Sequence, residues 1–167
     1  PPRSVEKLNY RRDGSGWSPV GSRHIYVVSA SGGTARRVTS GDFDHGSPQW
    51  TPDGQSILFS GLRAEDAEYQ YRESALYSVD VASGNIRQIT NRRGSETNPL
   101  PSPDGSLIAY QGDEFTTDTY TERELYVMNA NGSGSRVIAR EMGGIGNVTW
   151  AADGRGLYFT ASMRGTS

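Results

Sequence analysis

The chain has 167 residues and a formal net charge of −2, enough length for one domain with a sizeable core and no global field to draw it to nucleic acid or a membrane surface. Mean hydropathy is −0.65, and no apolar run approaches the roughly 18 residues of a transmembrane helix. Cysteine is absent, which excludes disulfides and thiolate metal sites and leaves the compartment open between cytoplasm and periplasm.

The opening "PPRSVEKLNY" reads as mid-protein sequence. From there, short apolar runs rich in Val, Ile, Tyr, Phe and Trp alternate with Gly, Pro, Asp, Asn and Ser, a strand pattern. No window sustains a helical period. "YRRDG" at 10–14 is followed by "WTPDG" at 50–54, "PSPDG" at 101–105 and "WAADG" at 150–154. Pro presets the first corner of a turn, Asp tolerates the second, and Gly supplies the positive φ that follows. A second motif interleaves: "HIYVVSASGG" from His24, "ALYSVDVASG" from Ala75 and "ELYVMNANGSG" from Glu124. A repeat of about 50 residues with four strands is the signature of a β-propeller blade.

Distances within the repeat sharpen this. Tyr26 to Asp53, Tyr77 to Asp104 and Tyr126 to Asp153 are each 27 residues. From each Asp-Gly to the next Tyr the spacing varies: 13, 24 and 22 residues. Calling the strands of a blade A to D, nearly all length variation falls in the B–C connection. The expected fold is all-β, a β-propeller fragment of about three to three and a half four-stranded antiparallel blades. As one partial domain over 1–167, it places blades at about 5–39, 47–91 and 98–139, with half a blade at 147–161. Open blade edges are expected to drive association, most simply as a two-fold homodimer.

In such a blade the A–B and C–D turns share one face of the disc, and the B–C and D–A loops share the other. The B–C loops "GLRAEDAEYQYRES" (61–74) and "GDEFTTDTYTERE" (112–124) are long, charged and aromatic. Function carried on variable loops over a rigid scaffold points to them. The substrate-binding candidates are Glu68, Tyr69 and Arg72 in the first loop and Asp113, Glu114, Tyr120 and Arg123 in the second; Tyr71, Glu73 and Asp118 lie among them. Arg72 or Arg123 would grip a carboxylate and the acids an amine. The plainer reading is a solvated loop with local ion pairs.

Elsewhere the sequence offers little chemistry. "DFDH" (42–45) has oxygen and nitrogen ligands but no spacing that fixes a metal, so no metal or other cofactor is expected. "NGS" (131–133) reads as a turn and "NVT" (147–149) as the start of a strand A rather than as glycosylation sites. No Gly-x-Ser-x-Gly elbow occurs. Neither His24 nor His45 has a context that favours a catalytic triad. The repeated turn aspartates sit on separate blades and form no carboxylate pair. No catalytic residue is assigned.

The runs "LNYRRDGSGW", "HIYVVSASGGTARRVTSGDFDHGSPQWTPDGQSILFSGLR" and "LYSVDVASGNIRQITNRRG" resemble the propeller of prolyl oligopeptidase-family serine peptidases, with the acylaminoacyl-peptidase-like branch most similar. The stretch "TTDTYTERELYVM" carries the same resemblance. "W-x-P-D-G" and "LY-x-V-D" are also shared with other bacterial propellers, including the periplasmic propeller of the Tol system. The peptidase resemblance implies a propeller of six to eight blades paired with an α/β-hydrolase domain that bears the Ser–Asp–His triad. It implies as partners that hydrolase domain, the remaining blades and a peptide substrate, with this segment as gate and docking surface. The Tol resemblance implies a protein-binding scaffold instead. Pro101 departs from the pattern, standing where the other blades have an aromatic.

Overall fold

The computed structural model describes residues 10–14, 16–18, 21–70, 72–118 and 120–162. Fourteen strands run through them: β1 (Arg11–Arg12), β2 (Gly16–Trp17), β3 (Tyr26–Val27), β4 (Arg36–Arg37), β5 (His45–Trp50), β6 (Ser56–Gly61), β7 (Ala75–Asp80), β8 (Ile86–Gln88), β9 (Glu96–Pro101), β10 (Leu107–Gly112), β11 (Glu124–Asn129), β12 (Arg136–Ala139), β13 (Ile145–Trp150) and β14 (Leu157–Ala161). A single 3-10 turn at Ala67–Tyr69 interrupts the 61–74 loop.

Strands β5-β6-β7-β8 form one antiparallel sheet in sequence order, and β9-β10-β11-β12 form a second. Both are four-stranded meanders, and their successive packing makes the chain a partial β-propeller. Pairs β1-β2, β3-β4 and β13-β14 make two-stranded sheets. The β1–β2 hairpin closes around Asp13-Gly14, with Arg11 opposite Trp17.

Strand B of the two complete sheets, β6 and β10, is buried on both faces along its centre. Ile57 and Phe59 of β6 pack with Ile25, Val38, Tyr77 and Val79. Leu58, pointing the other way, packs with Leu76 of β7 and with Ile108, Tyr110, Tyr126 and Met128 of the next sheet. Period-2 alternation therefore sends neighbours into two different cores. Each fully buried Leu, Ile or Phe contributes about 1.5–3 kcal/mol. Aromatic pairs stack across strands B and C in both complete sheets: Phe59–Tyr77 at 5.4 Å and Tyr110–Tyr126 at 5.0 Å between ring centres.

The Asp-Gly turns are held by the same bonds in successive blades. Thr51 Oγ1 donates to Asp53 Oδ1 at 2.6 Å, and Gln55 N donates to the same oxygen at 3.0 Å. Ser102 and Ser106 repeat this at Asp104. These donors hold the Asp53 carboxyl below its ordinary range and that of Asp104 at about 2. In the last turn Ala151 replaces the hydroxyl, and only Arg155 N reaches Asp153 Oδ1, at 3.0 Å.

Strand A carries a feature that the sequence did not signal. Ser47, Asn98 and Asn147, at equivalent places in β5, β9 and β13, all have positive φ. Each sits where the A–B register shifts, a β-bulge. The bulges link into a polar chain: Ser47 Oγ donates to Asn98 Oδ1 at 2.6 Å, Asn98 Nδ2 to Gln111 Oε1 at 2.8 Å, and Gln111 Nε2 to the Ile145 carbonyl at 3.0 Å. Successive strands A are thereby stitched together across three blades. The strand A aromatic also bridges blades in one case, where Trp150 Nε1 donates to the Leu100 carbonyl at 2.9 Å. Its counterpart Trp50 remains 48% exposed. Pro101 does not interrupt its strand; it lies opposite Ile108.

Candidate functional site

Two B–C loops and one D–A crossover meet at one end of the two complete sheets. Between them lies an open cavity of about 480 Å³, lined by Arg72, Glu73 and Ser74, by Ser95 of the crossover, and by Asp113 to Thr116, Thr121 and Arg123. The wall is polar and mostly charged. Its position follows from the scaffold: Ser74 directly precedes β7, Asp113 directly follows β10, and Arg123 directly precedes β11.

The crossover and the second loop are clamped to each other. Ser95 N donates to Asp113 Oδ1 at 3.1 Å, and Asp113 N returns a bond to the Ser95 carbonyl at 3.0 Å. Gly94, at φ +115, makes this approach possible. A Cβ there would stand 2.2 Å from the Asp113 carbonyl oxygen. The crossover and the first loop are joined by Ser74, whose Oγ donates to the Glu96 carbonyl at 2.8 Å and accepts from Glu96 N at 2.9 Å.

Charged side chains on the wall are largely engaged. Arg93 Nη2 lies 2.7 Å from Glu73 Oε1, and the Arg93 guanidinium sits 3.9 Å from the centre of the Phe115 ring. Arg72 Nη1 donates to the Asp118 carbonyl at 2.7 Å, tying the first loop to the second. Thr116 Oγ1 donates to Asp118 Oδ2 at 2.9 Å. The hydrogen bond from Arg93 steadies its own positive charge, raising its pKa, with Glu73 as the cause.

The structure thus brings together Arg72, Asp113, Glu114 and Arg123 of the sequence-derived candidates, with Glu73 among them. It does not bring in Glu68, Tyr69 or Tyr120. Glu68 and Tyr69 lie on the 3-10 turn, and Tyr69 is 76% exposed. Tyr120 is 65% exposed, and its hydroxyl donates to Glu122 Oε1 at 3.2 Å. Asp118 does not line the cavity; its carbonyl is the anchor for Arg72. Tyr71 lies outside the described residues. Sequence reasoning missed Ser74, Ser95, Phe115 and the bracing residue Arg93. Ser95 and Arg93 lie on a D–A crossover, which shares the face of the B–C loops, and that shared face was the available signal.

The two histidines are occupied elsewhere. His45 Nδ1 faces the Arg23 carbonyl at 3.2 Å, and its Nε2 lies 2.8 Å from Arg63 Nη1. His24 Nδ1 lies 3.5 Å from Thr39 Oγ1. The "DFDH" acids serve the loop: Asp44 Oδ1 accepts from Arg23 N at 2.8 Å, and Asp42 Oδ1 from Ser22 Oγ at 2.6 Å. Among the described residues no group of three or more His, Cys, Asp or Glu is placed to hold a metal ion, and no helix is long and apolar enough to cross a membrane.

Comparison with known proteins places this geometry in a family. An uncharacterized peptidase of Bacillus subtilis, YuxL, is 34% identical, with the match covering 67% of this chain and 23% of the relative. The Tol-Pal system protein TolB of Francisella tularensis subsp. tularensis is 26% identical over 75% of this chain and 27% of its own length. The chain therefore spans about a quarter of the length of these curated relatives. Among solved structures, TolB from Acinetobacter baumannii superposes with a TM-score of 0.67 at 22% identity, covering 86% of this chain and 33% of that one. The family of the dipeptidyl peptidase IV (DPP IV) N-terminal region matches residues 11–119, well over half of the sequence. The chain belongs to that family, the dipeptidyl peptidase IV N-terminal region, and is a partial β-propeller of it.

Proposed function

We propose that this chain is the non-catalytic propeller segment of a serine peptidase of the acylaminoacyl, dipeptidyl or oligopeptidase type. In this reading it gates and docks peptide substrates for an α/β-hydrolase domain that belongs to the rest of the parent protein. The observation that carries it is the charged cavity between the two B–C loops. Its wall offers carboxylates, guanidiniums and one aromatic ring, the groups that recognise peptide termini and backbone. Its volume of about 480 Å³ suits a short peptide rather than a protein surface. The relationship to a Bacillus subtilis peptidase supports the same reading. Catalysis would come from outside these residues, because the histidines are engaged structurally and the turn aspartates stand on separate blades.

The second reading is a TolB-like protein-binding scaffold, favoured by the similarity to TolB in sequence and in fold. Calorimetric titration of the 167-residue chain with peptides of two to six residues separates the two. The peptidase reading expects saturable binding at millimolar or lower concentration and no turnover. Absence of binding by every peptide would favour the scaffold. Hydrolysis by the chain itself, blocked by a serine-directed inhibitor, would overturn the non-catalytic assignment.

A further inference from the structure

Two half-sheets flank the two complete ones. β13–β14 has the register of strands A and B: Ile145 lies opposite Ala161 and Trp150 opposite Leu157, as His45 lies opposite Gly61 and Trp50 opposite Ile57. β3–β4 has the register of strands C and D: Tyr26 lies opposite Arg37, as Tyr77 lies opposite Gln88. The bond that pins this hairpin is repeated too, with Ile25 N donating to Thr39 Oγ1 and Leu76 N to Thr90 Oγ1, each at 2.9 Å. Among the described residues, β3 pairs with no strand besides β4, and β14 with none besides β13.

Exposed apolar side chains mark the same two edges. Tyr26 of β3 is 56% exposed and Val28, just beyond it, 59%. Their counterparts Tyr77 and Tyr126 are 4% exposed, and Val79 and Met128 0%. Tyr158 of β14 is exposed, whereas Leu58, at its place in β6, is buried between sheets. In the complete sheets the strand B aromatic meets the strand C tyrosine: Phe59 lies opposite Tyr77, and Tyr110 opposite Tyr126. Continued to the open edges, that register sets Phe159 of β14 opposite Tyr26, and Leu157 opposite Val28. One copy cannot form these pairs with itself. With two complete sheets between the edges, self-closure would make a ring of three blades, below the usual minimum of about four.

We propose that two copies of this chain close head to tail into one propeller. β13–β14 of each copy joins β3–β4 of the other, completing a four-stranded blade at each junction. Two complete blades in each copy and one blade at each of two junctions make six, within the usual range of about four to eight. The contact is reciprocal, as a two-fold axis requires: β14 of one copy meets β3 of the other, and β3 meets β14. Both open edges are thereby paired, and the exposed tyrosines and Val28 gain the cover that their counterparts have. The assembly is independent of the docking role, because it uses the edges of the sheets and not the loops.

The test is the mass of the 167-residue chain in solution at micromolar concentration, by sedimentation equilibrium. The expected value is twice the 18.2 kDa of one chain. Val28→Lys and Tyr158→Lys place a charge at opposite edges, on side chains that are exposed in a single copy, so the fold of that copy is little affected. Far-UV circular dichroism checks this. Each should weaken the dimer at least about tenfold, because it buries an unpaired ammonium at both junctions. An equimolar mixture of the two variants should recover a dimer, since one junction then carries neither substitution. Tyr69→Lys, on the turn of the 61–74 loop, should leave the dimer unchanged; loss of the dimer there would place the contact on the loop face and overturn the proposal. A monomeric parent sequence would also overturn it, as would a dimer that Val28→Lys leaves intact or a mixture that recovers none. A mass that grows beyond two chains with concentration would mean an open row of copies, and the closed ring would fall.

Discussion

The heads of β5 and β9 occupy the same place in successive blades, yet they are built from different chemistry. His45 lies opposite Gly61, and Glu96 lies opposite Gly112. Both are buried, Glu96 to 1% exposure. The first is an uncharged device. With its proton on Nδ1, the His45 ring donates to the Arg23 carbonyl and accepts from Arg63 at Nε2, while its edge meets Phe59 at 5.0 Å. The second is ionic. Glu96 accepts from Thr90 Oγ1 and from Arg92 Nε at 3.3 Å, and Arg92 continues to the Tyr126 hydroxyl at 3.1 Å. Even the cation–π pairs exchange sides. Arg63 of a B–C loop lies 4.9 Å from Phe43 of the crossover, whereas Arg93 of the crossover lies 3.9 Å from Phe115 of a B–C loop. At β13 the same place is filled by Ile145, with no polar side chain at all. The scaffold requires this position to be filled and its polar atoms bonded. Charge is free to vary, and it sets how each junction responds to mutation and pH.

The largest effect is expected at the ionic junction. Glu96→Ala leaves Arg92 partly buried beside Tyr126 without its counter-charge, a loss of about 3–5 kcal/mol. Urea unfolding followed by circular dichroism measures it. A cost below about 1 kcal/mol would mean that the two junctions are energetically alike.

Gly94→Ala tests the backbone clamp of the same junction. The new Cβ would meet the Asp113 carbonyl oxygen at 2.2 Å in a conformation that alanine rarely adopts. About 2–3 kcal/mol of stability should be lost, together with peptide binding, since Ser95 and Asp113 form one wall of the cavity. An unchanged melting temperature would show that the crossover relaxes freely.

His45→Gln should give the smallest change, about 1 kcal/mol at neutral pH from the lost edge contact on Phe59. Its signature is in the pH profile. Burial first, then the Arg63 cation, lowers the His45 pKa from 6.5 to about 4. The unfolded chain therefore takes up the proton first. The contribution is fully present above about pH 6.5 and is lost as pH falls through about 4. The variant should flatten that part of the curve, and an identical slope in both proteins would assign the pH dependence to other groups.

The fold was legible because its determinants are local. Pro52-Asp53-Gly54 and its copies encode their own turns within five residues, and "SILFS" encodes a strand covered on both faces. Constant 27-residue spacings then fix the repeat. The cavity was half legible. Loop length and charge singled out Arg72, Asp113, Glu114 and Arg123. Nothing in composition separated them from Glu68, Tyr69 and Tyr120, because exposure depends on how the loops lie against each other. The bulges at Ser47, Asn98 and Asn147 were not legible either. Ser at positive φ goes against intrinsic preference and is sustained by bonds between blades.

The sequence by itself determined the strand order, the turns and the face on which variable loops gather, since these depend on neighbours within a few residues and on a regular period. Tertiary structure decided which charges are matched. Glu73 meets Arg93, Glu96 meets Arg92 beside Tyr126, and Ser95 meets Asp113 only when adjacent blades pack. Those pairings join residues as many as 34 positions apart. Their reach is a few ångströms, so the distances that matter are set by the stacking of sheets and not by separation along the chain.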